Sequence, residues 1–221
     1  NGIVGPFGTG SGTKNPASLA TDFSANLETL TNPAGGTALA SLAATLGTAG
    51  TPTVWRTPSI SNSLTVYGDV TLVLTAPAGL SAIDLTGTEG ITLAAGATLT
   101  IYTAGDVKIA GNGLLNPNSA PETFQLWGTS TSPAAQDIQI AGNGALKGII
   151  YAPNAFIKIN GNGDVMGAVV GKEVNLTGNA AFHYDESLAG WSKNSPYGVS
   201  RWRELVTPVE RLPYSAALAT F

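Results

Sequence analysis

The sequence predicts an all-β fold: a parallel β-helix or β-solenoid of about six coils, with a small N-terminal helical cap and an extended C-terminal tail. Three observations predict it. A phrase recurs in one register at Val107-Lys-Ile-Ala-Gly-Asn-Gly, Ile138-Gln-Ile-Ala-Gly-Asn-Gly, Ile157-Lys-Ile-Asn-Gly-Asn-Gly and Val174-Asn-Leu-Thr-Gly-Asn-Ala. Upstream, the aliphatic pairs opening at Ile83, Ile91, Leu99 and Val107 start eight residues apart, so three sides make a coil of 24. The chain is also rich in glycine, 28 of 221 residues, and poor in charge at 11%, which suits tightly turned strands rather than a disordered chain. A recurring period of about 20 to 50 residues marks a repeat architecture, whose units bury their apolar faces only by stacking.

Within each phrase the residue types follow from strand geometry. Apolar positions 0 and +2 share one face, which sends Lys108, Gln139, Lys158 and Asn175 to the other. Glycine at +4 (Gly111, Gly142, Gly161, Gly178) and asparagine at +5 (Asn112, Asn143, Asn162, Asn179) then tolerate the positive φ of a sharp corner. Stacking would set the asparagines above one another, where their amides either form a ladder along the axis or stand as solvated corner formers; the unvarying offset favours the ladder. No helix N-terminus follows Gly-Asn-Gly, so it is a corner and not a phosphate cradle.

The phrase intervals are 138 − 107 = 31, 157 − 138 = 19 and 174 − 157 = 17. The shorter two read as single coils, aligned also at Gly148 and Gly167. The longest holds Asn116-Pro-Asn-Ser-Ala-Pro and Thr129-Ser-Thr-Ser-Pro, which predicts an excursion with Phe124 or Leu126 in an extra strand. Three segments follow: a Gly-rich region with a helical hairpin cap over 1–61, the solenoid over 62–188, and an aromatic, proline-bearing tail over 189–221. With coils about 4.8 Å apart, six would span a rod on the order of 30 Å. In the cap, Asn15-Pro16 opens a helix with Leu19, Phe23, Leu27 and Leu30, closed by Asn32-Pro33; Leu39, Leu42 and Leu46 predict a second. The cap either seals the first coil or binds a partner.

Several chemistries are excluded or weakened. There is no cysteine, hence no disulfide, thiolate nucleophile or cysteine metal site, and His183 is the sole histidine, so a multi-imidazole zinc site is impossible. Ten Lys and Arg against fourteen Asp and Glu, net −4, give no basic patch for nucleic acid or anionic lipid. No run of about 18 apolar residues predicts a membrane span. The chain opens at Asn1-Gly without methionine, which reads as processed, so a missing targeting segment says nothing of the precursor.

Candidate ligand positions are Asp106 and Asp137, each preceding the first aliphatic of a phrase, with Glu173 at the same offset, and His183 and Asp185 in Phe182-His-Tyr-Asp-Glu-Ser. Stacked carboxylates about 5 Å apart repel unless a cation, proton or lysine intervenes, and Phe156 breaks the series. Solvated corners are the simpler reading for the acids, and a hydrogen-bonded closing strand for His183. Trp55, Trp127, Trp191 and Trp202 are scattered, which suits packing at insertions and ends better than a sugar platform.

The phrases Gly68-Asp-Val-Thr-Leu-Val-Leu, Ala95-Gly-Ala-Thr-Leu-Thr-Ile-Tyr, Gly105-Asp-Val-Lys-Ile-Ala-Gly-Asn-Gly, Gly148-Ile-Ile-Tyr-Ala-Pro-Asn-Ala and Phe182-His-Tyr-Asp-Glu-Ser-Leu resemble an uncharacterised bacterial domain found C-terminal to PilX-like, type IV pilus-associated segments. The resemblance covers roughly residues 64 to 188. It implies an extracytoplasmic β-solenoid linked to pili or the cell surface and supplies no catalytic residue. This chain departs from such proteins in lacking a pilin-type hydrophobic N-terminal helix. The resulting expectation is a non-enzymatic extracellular structural protein without cofactor or metal. It would form a homo-oligomer or filament through its terminal segments and serve assembly or adhesion at a bacterial surface, with surface glycan as a possible partner. The alternative is a carbohydrate-binding or polysaccharide-cleaving β-helix.

Overall fold

The structure is a computed structural model that describes residues 27–110, 113–132, 135–142, 146–161, 165–178 and 182–190. Among these residues the fold is nearly all β, with two short 3-10 turns and no α-helix. Every pairing between named strands is parallel, and the strands form a curled sheet of eleven strands and a second sheet of four.

Three rows of strands result. Row A holds β1 (Thr37–Ala38), β3 (Thr53–Thr57), β5 (Asp69–Leu74), β8 (Thr98–Thr103) and β11 (Phe124–Gly128). It continues through the first halves of β13 (Leu146–Gly161) and β14 (Val165–Gly178) to β15 (Phe182–Tyr184). Row B holds β6 (Ser81–Leu85), β9 (Asp106–Ile109), β12 (Gln136–Gly142) and the second halves of β13 and β14. Row C holds β2 (Thr45–Leu46), β4 (Leu64–Val66), β7 (Gly90–Leu93) and β10 (Gly113–Leu115). From β4 to β12 the chain visits rows C, A and B in strict rotation, and each visit lands on the strand laid down one circuit earlier, except that β6 meets the single bridging residue Ile60. Among the described residues row C ends at β10, and the later circuits alternate between A and B. That loss of one side explains why the phrase interval falls to 19 and then 17 residues.

The recurring phrases lie in register: Val107 opposes Ile138, Ile138 opposes Ile157, and Ile157 opposes Val174. Inside the rows runs one aliphatic core. Leu72, Ile101, Leu126 and Ile150 line row A, Ile83, Val107, Ile138 and Ile157 line row B, and Leu64, Ile91 and Leu114 line row C, all buried. These are the alternate positions of each strand, as a half-buried strand requires.

Two expectations are corrected. Leu39, Leu42 and Leu46 form no helix: β1 and β2 lie within this stretch, because β3 and β4 leave backbone groups that must be paired. Leu39 N–H donates to Arg56 O at 2.7 Å, Thr65 N–H to Ala44 O at 2.8 Å and Tyr67 N–H to Leu46 O at 2.9 Å. The three leucines still face the core, so the end is covered by extended chain. Of the first predicted helix, residues 15–26 lie outside the described residues, and 27–33 carry no helix. The excursion is also revised, since Phe124 and Leu126 belong to the regular row A strand β11, opposite Leu99 and Ile101, and not to an extra one. What lengthens that interval is the loop from Asn116 to Thr123, ending in a 3-10 turn at Pro121–Thr123. The tail beyond residue 190 lies outside the described residues.

Candidate functional site

The outer side of row B gathers most of the polar positions singled out above. In register, Asp106, Asp137, Phe156 and Glu173 form one column, and Asp84, Lys108, Gln139, Lys158 and Asn175 form the next. Asp106 and Asp137 are therefore brought together. Asp137 N–H donates to Asp106 Oδ1 at 2.9 Å. Glu173 is kept apart from them by Phe156, which is 37% exposed and carries Lys172 Nζ at 5.3 Å from its ring centroid. Asp137, Phe156, Lys158, Glu173 and Asn175 border a shallow hollow of about 400 Å³. At the far end of the second column, Asp84 opposes Lys108.

His183 and Asp185 stand elsewhere. His183 lies in β15 opposite Met166 and is exposed, and Asp185 N–H donates to Gly167 O at 3.3 Å. They are in and beside row A, so the imidazole and the row B acids do not form one constellation. Among the described residues no group of three His, Asp or Glu is placed to hold a metal, and no helix is long and apolar enough to cross a membrane. At the corners, Gly142 opposes Gly161 and Gly161 opposes Gly178, with Gly178 at φ +89°. Gly111 and the asparagines Asn112, Asn143, Asn162 and Asn179 lie outside the described residues, as do Trp191 and Trp202.

Row A carries a feature that residue patterns left unnoticed. Tyr102, Trp127 and Tyr151 occupy one outward register. Tyr102 and Trp127 stack at 6.4 Å between centroids and 18° between planes, and Trp127 meets Tyr151 at 5.6 Å and 48°. The signal was present as Ile101-Tyr, Leu126-Trp and Ile150-Tyr, an aromatic after each core aliphatic. Residues 28–35 run along this side as a strap. Tyr151 Oη donates to Glu28 O at 2.8 Å, Asn154 Nδ2 to Thr29 Oγ1 at 3.4 Å and Thr129 Oγ1 to Asn32 Oδ1 at 3.1 Å. Arg56 closes the strap, donating to Pro33 O and Gly35 O. Burial pushes the phenols of Tyr102 and Tyr151 above their usual range, with Glu28 adding to the rise at Tyr151.

The sequence model of DUF7305, a domain of unknown function, matches residues 42–191, which is 191 − 42 + 1 = 150 of 221 residues. The chain belongs to this family. The DUF7305 segment takes in every strand from β2 to β15, hence all three rows, the row B hollow and the aromatic row; the strap precedes it. No curated protein and no solved structure matches the chain.

Proposed function

We propose that this DUF7305 chain is an extracellular structural protein of a bacterial surface, a rigid β-solenoid subunit that self-assembles into a filament or layer or serves adhesion. The observation that carries the reading is the order of the rows. A chain that returns to the same row after each circuit, always one strand further on, builds length and stiffness out of nearest-neighbour contacts, the property by which solenoids act as scaffolds. The resemblance to domains that follow PilX-like segments supports the placement at pili or the cell surface. Negative-stain microscopy of the purified chain is expected to show ordered assemblies. A dispersed monomer in every condition, together with tight binding or cleavage on a glycan array, overturns the reading.

One observation favours a second reading, a glycan-binding or glycan-cleaving surface. Asp137 and Glu173 flank the exposed Phe156 ring two strand spacings apart, about 9.5 Å; Lys172 Nζ covers one face of the ring, so the opposite face is the one a sugar ring would stack on. Under that reading glycan-array signal falls when Phe156→Ala is introduced, and under the structural reading assembly is indifferent to it.

A further inference from the structure

The second half of β14, residues 173–178, is the last strand of row B among the described residues. One of its edges pairs with β13, while β15 meets only Val165, Met166 and Gly167 of the first half. Every residue from 172 to 178 is exposed. Val174 and Leu176 nevertheless occupy the core-facing columns, opposite the buried Ile157 and Ile159, and are 38% and 45% exposed. Among the described residues the core is thus open at this end of row B. At the other end it is closed, where Ile60 is buried and bridged to Ile83, and Leu39, Leu42 and Trp55 pack against the core.

We propose that the free edge at 173–178 pairs antiparallel with the same edge of a second copy, joining two chains tail to tail. The inference rests on the structural reading above and names its first contact. An extended edge with unpaired backbone groups and apolar side chains is a template for another strand. The segment complements itself. With the two-fold axis at Asn175, Val174 opposes the partner's Leu176, Glu173 opposes the partner's Thr177, and Lys172 opposes the partner's Gly178. No like charges face each other, and the apolar positions of both copies fall on the core side, as the two-residue period demands. A head-to-tail stack would need a matching open edge beside β6, where Ile60 already stands. A two-fold contact closes on itself and yields a pair.

The chain contains no cysteine, so Asn175→Cys carries a lone thiol at the proposed axis. Directly opposed residues of an antiparallel pair have Cα atoms about 4.5–5.5 Å apart, within disulfide reach. Mild oxidation is expected to convert this variant to a covalent dimer, while Asp84→Cys, exposed on β6 at the closed end, stays monomeric. Light scattering of the unmodified chain is expected to show a concentration-dependent dimer, and Leu176→Glu, with unchanged circular dichroism, to weaken it by about tenfold or more. The proposal is overturned if Asn175→Cys cross-links no faster than Asp84→Cys, or if the chain is monomeric at every concentration, as it would be were its own remaining residues to cover the edge. Polymers that form equally well with Leu176→Glu also overturn it, and leave the structural reading standing.

Discussion

At the scale of single residues, the turns between rows depend on buried polar side chains that take the place of missing ladder bonds. Gln136 is 1% exposed, and its Nε2 donates to Thr103 O at 3.0 Å and Gly105 O at 2.8 Å, satisfying two carbonyls where the chain passes from row A to row B. Gln136→Leu takes the donor from Gly105 O and leaves Thr103 O with only the Thr129 N–H, 2.8 Å away. The expected loss is about 1–3 kcal/mol, read in urea unfolding as a lower midpoint with an unchanged slope. Asn116 and Asn118 do similar work in the lengthened loop. Asn116 Nδ2 donates to Lys147 O at 3.1 Å toward the next circuit, and Asn118 Oδ1 accepts from Gly96 N–H at 2.8 Å toward the previous one. Corner glycines are fixed by space as well as by dihedral angle. Gly68 has φ +66°, and a Cβ there would lie 2.1 Å from Thr48 O. Gly68→Ala is therefore expected to destabilise by more than about 1 kcal/mol, beyond the dihedral strain alone, in the same unfolding assay. None of these side-chain roles was legible in the sequence. Gln136 sits outside the repeating phrase, and its partners are 33 and 31 residues away.

At the scale of elements, the strands were legible and the cap was not. Val107, Ile138, Ile157 and Val174 share a register because each phrase encodes its own alternation and corner, so aligning phrases aligns strands. Leu39, Leu42 and Leu46 show helical spacing, yet what decides their conformation is the need of β3 and β4 for partners, a demand set by distant residues. The strap likewise rests on backbone carbonyls of Glu28, Pro33 and Gly35, which no residue pattern reveals. Two outcomes follow from it. Arg56→Ala removes the donors to Pro33 and Gly35, so a glutamyl endopeptidase should cleave after Glu28 faster than in the unchanged chain while the core unfolds at nearly the same midpoint. The partly buried phenols also tie stability to alkaline pH. Tyrosine ionises near 10 in the unfolded chain, and burial raises both Tyr102 and Tyr151 in the folded one. Between those values the folded chain holds protons that the unfolded chain has lost. Their contribution is thus intact below pH about 10 and is lost as the pH rises through the folded values. Melting temperature should fall across this window, and fall less steeply in Tyr102→Phe.

At the scale of the whole described body, one aliphatic column passes through successive circuits, and each circuit touches mainly the ones before and after it. Such a body should not open everywhere at once. Ile101 is enclosed between Leu72 on one side and Leu126 on the other, all three fully buried, whereas Leu176 has Ile159 beneath it and is itself 45% exposed. Truncating Ile101 removes contacts on both sides and leaves a cavity that the flanking strands cannot close, at a cost of about 2–5 kcal/mol. Truncating Leu176 removes a partly exposed side chain at an end, and about 1 kcal/mol or less is lost. Ile101→Ala should therefore lower the unfolding midpoint of the circuits that hold β5, β8 and β11, and Leu176→Ala should loosen only the last one. Hydrogen exchange of the unchanged chain at low concentration supplies the reference, with amides of β5, β8 and β11 slowest and those of residues 173–178 and β15 fastest. The same gradient bears on assembly. If two chains meet through residues 173–178, those amides gain protection as concentration rises, while the protection of β5 and β8 stays as it was. A uniform gain across all circuits would instead mean that the chain opens as one unit, and stiffness built circuit by circuit would no longer describe it.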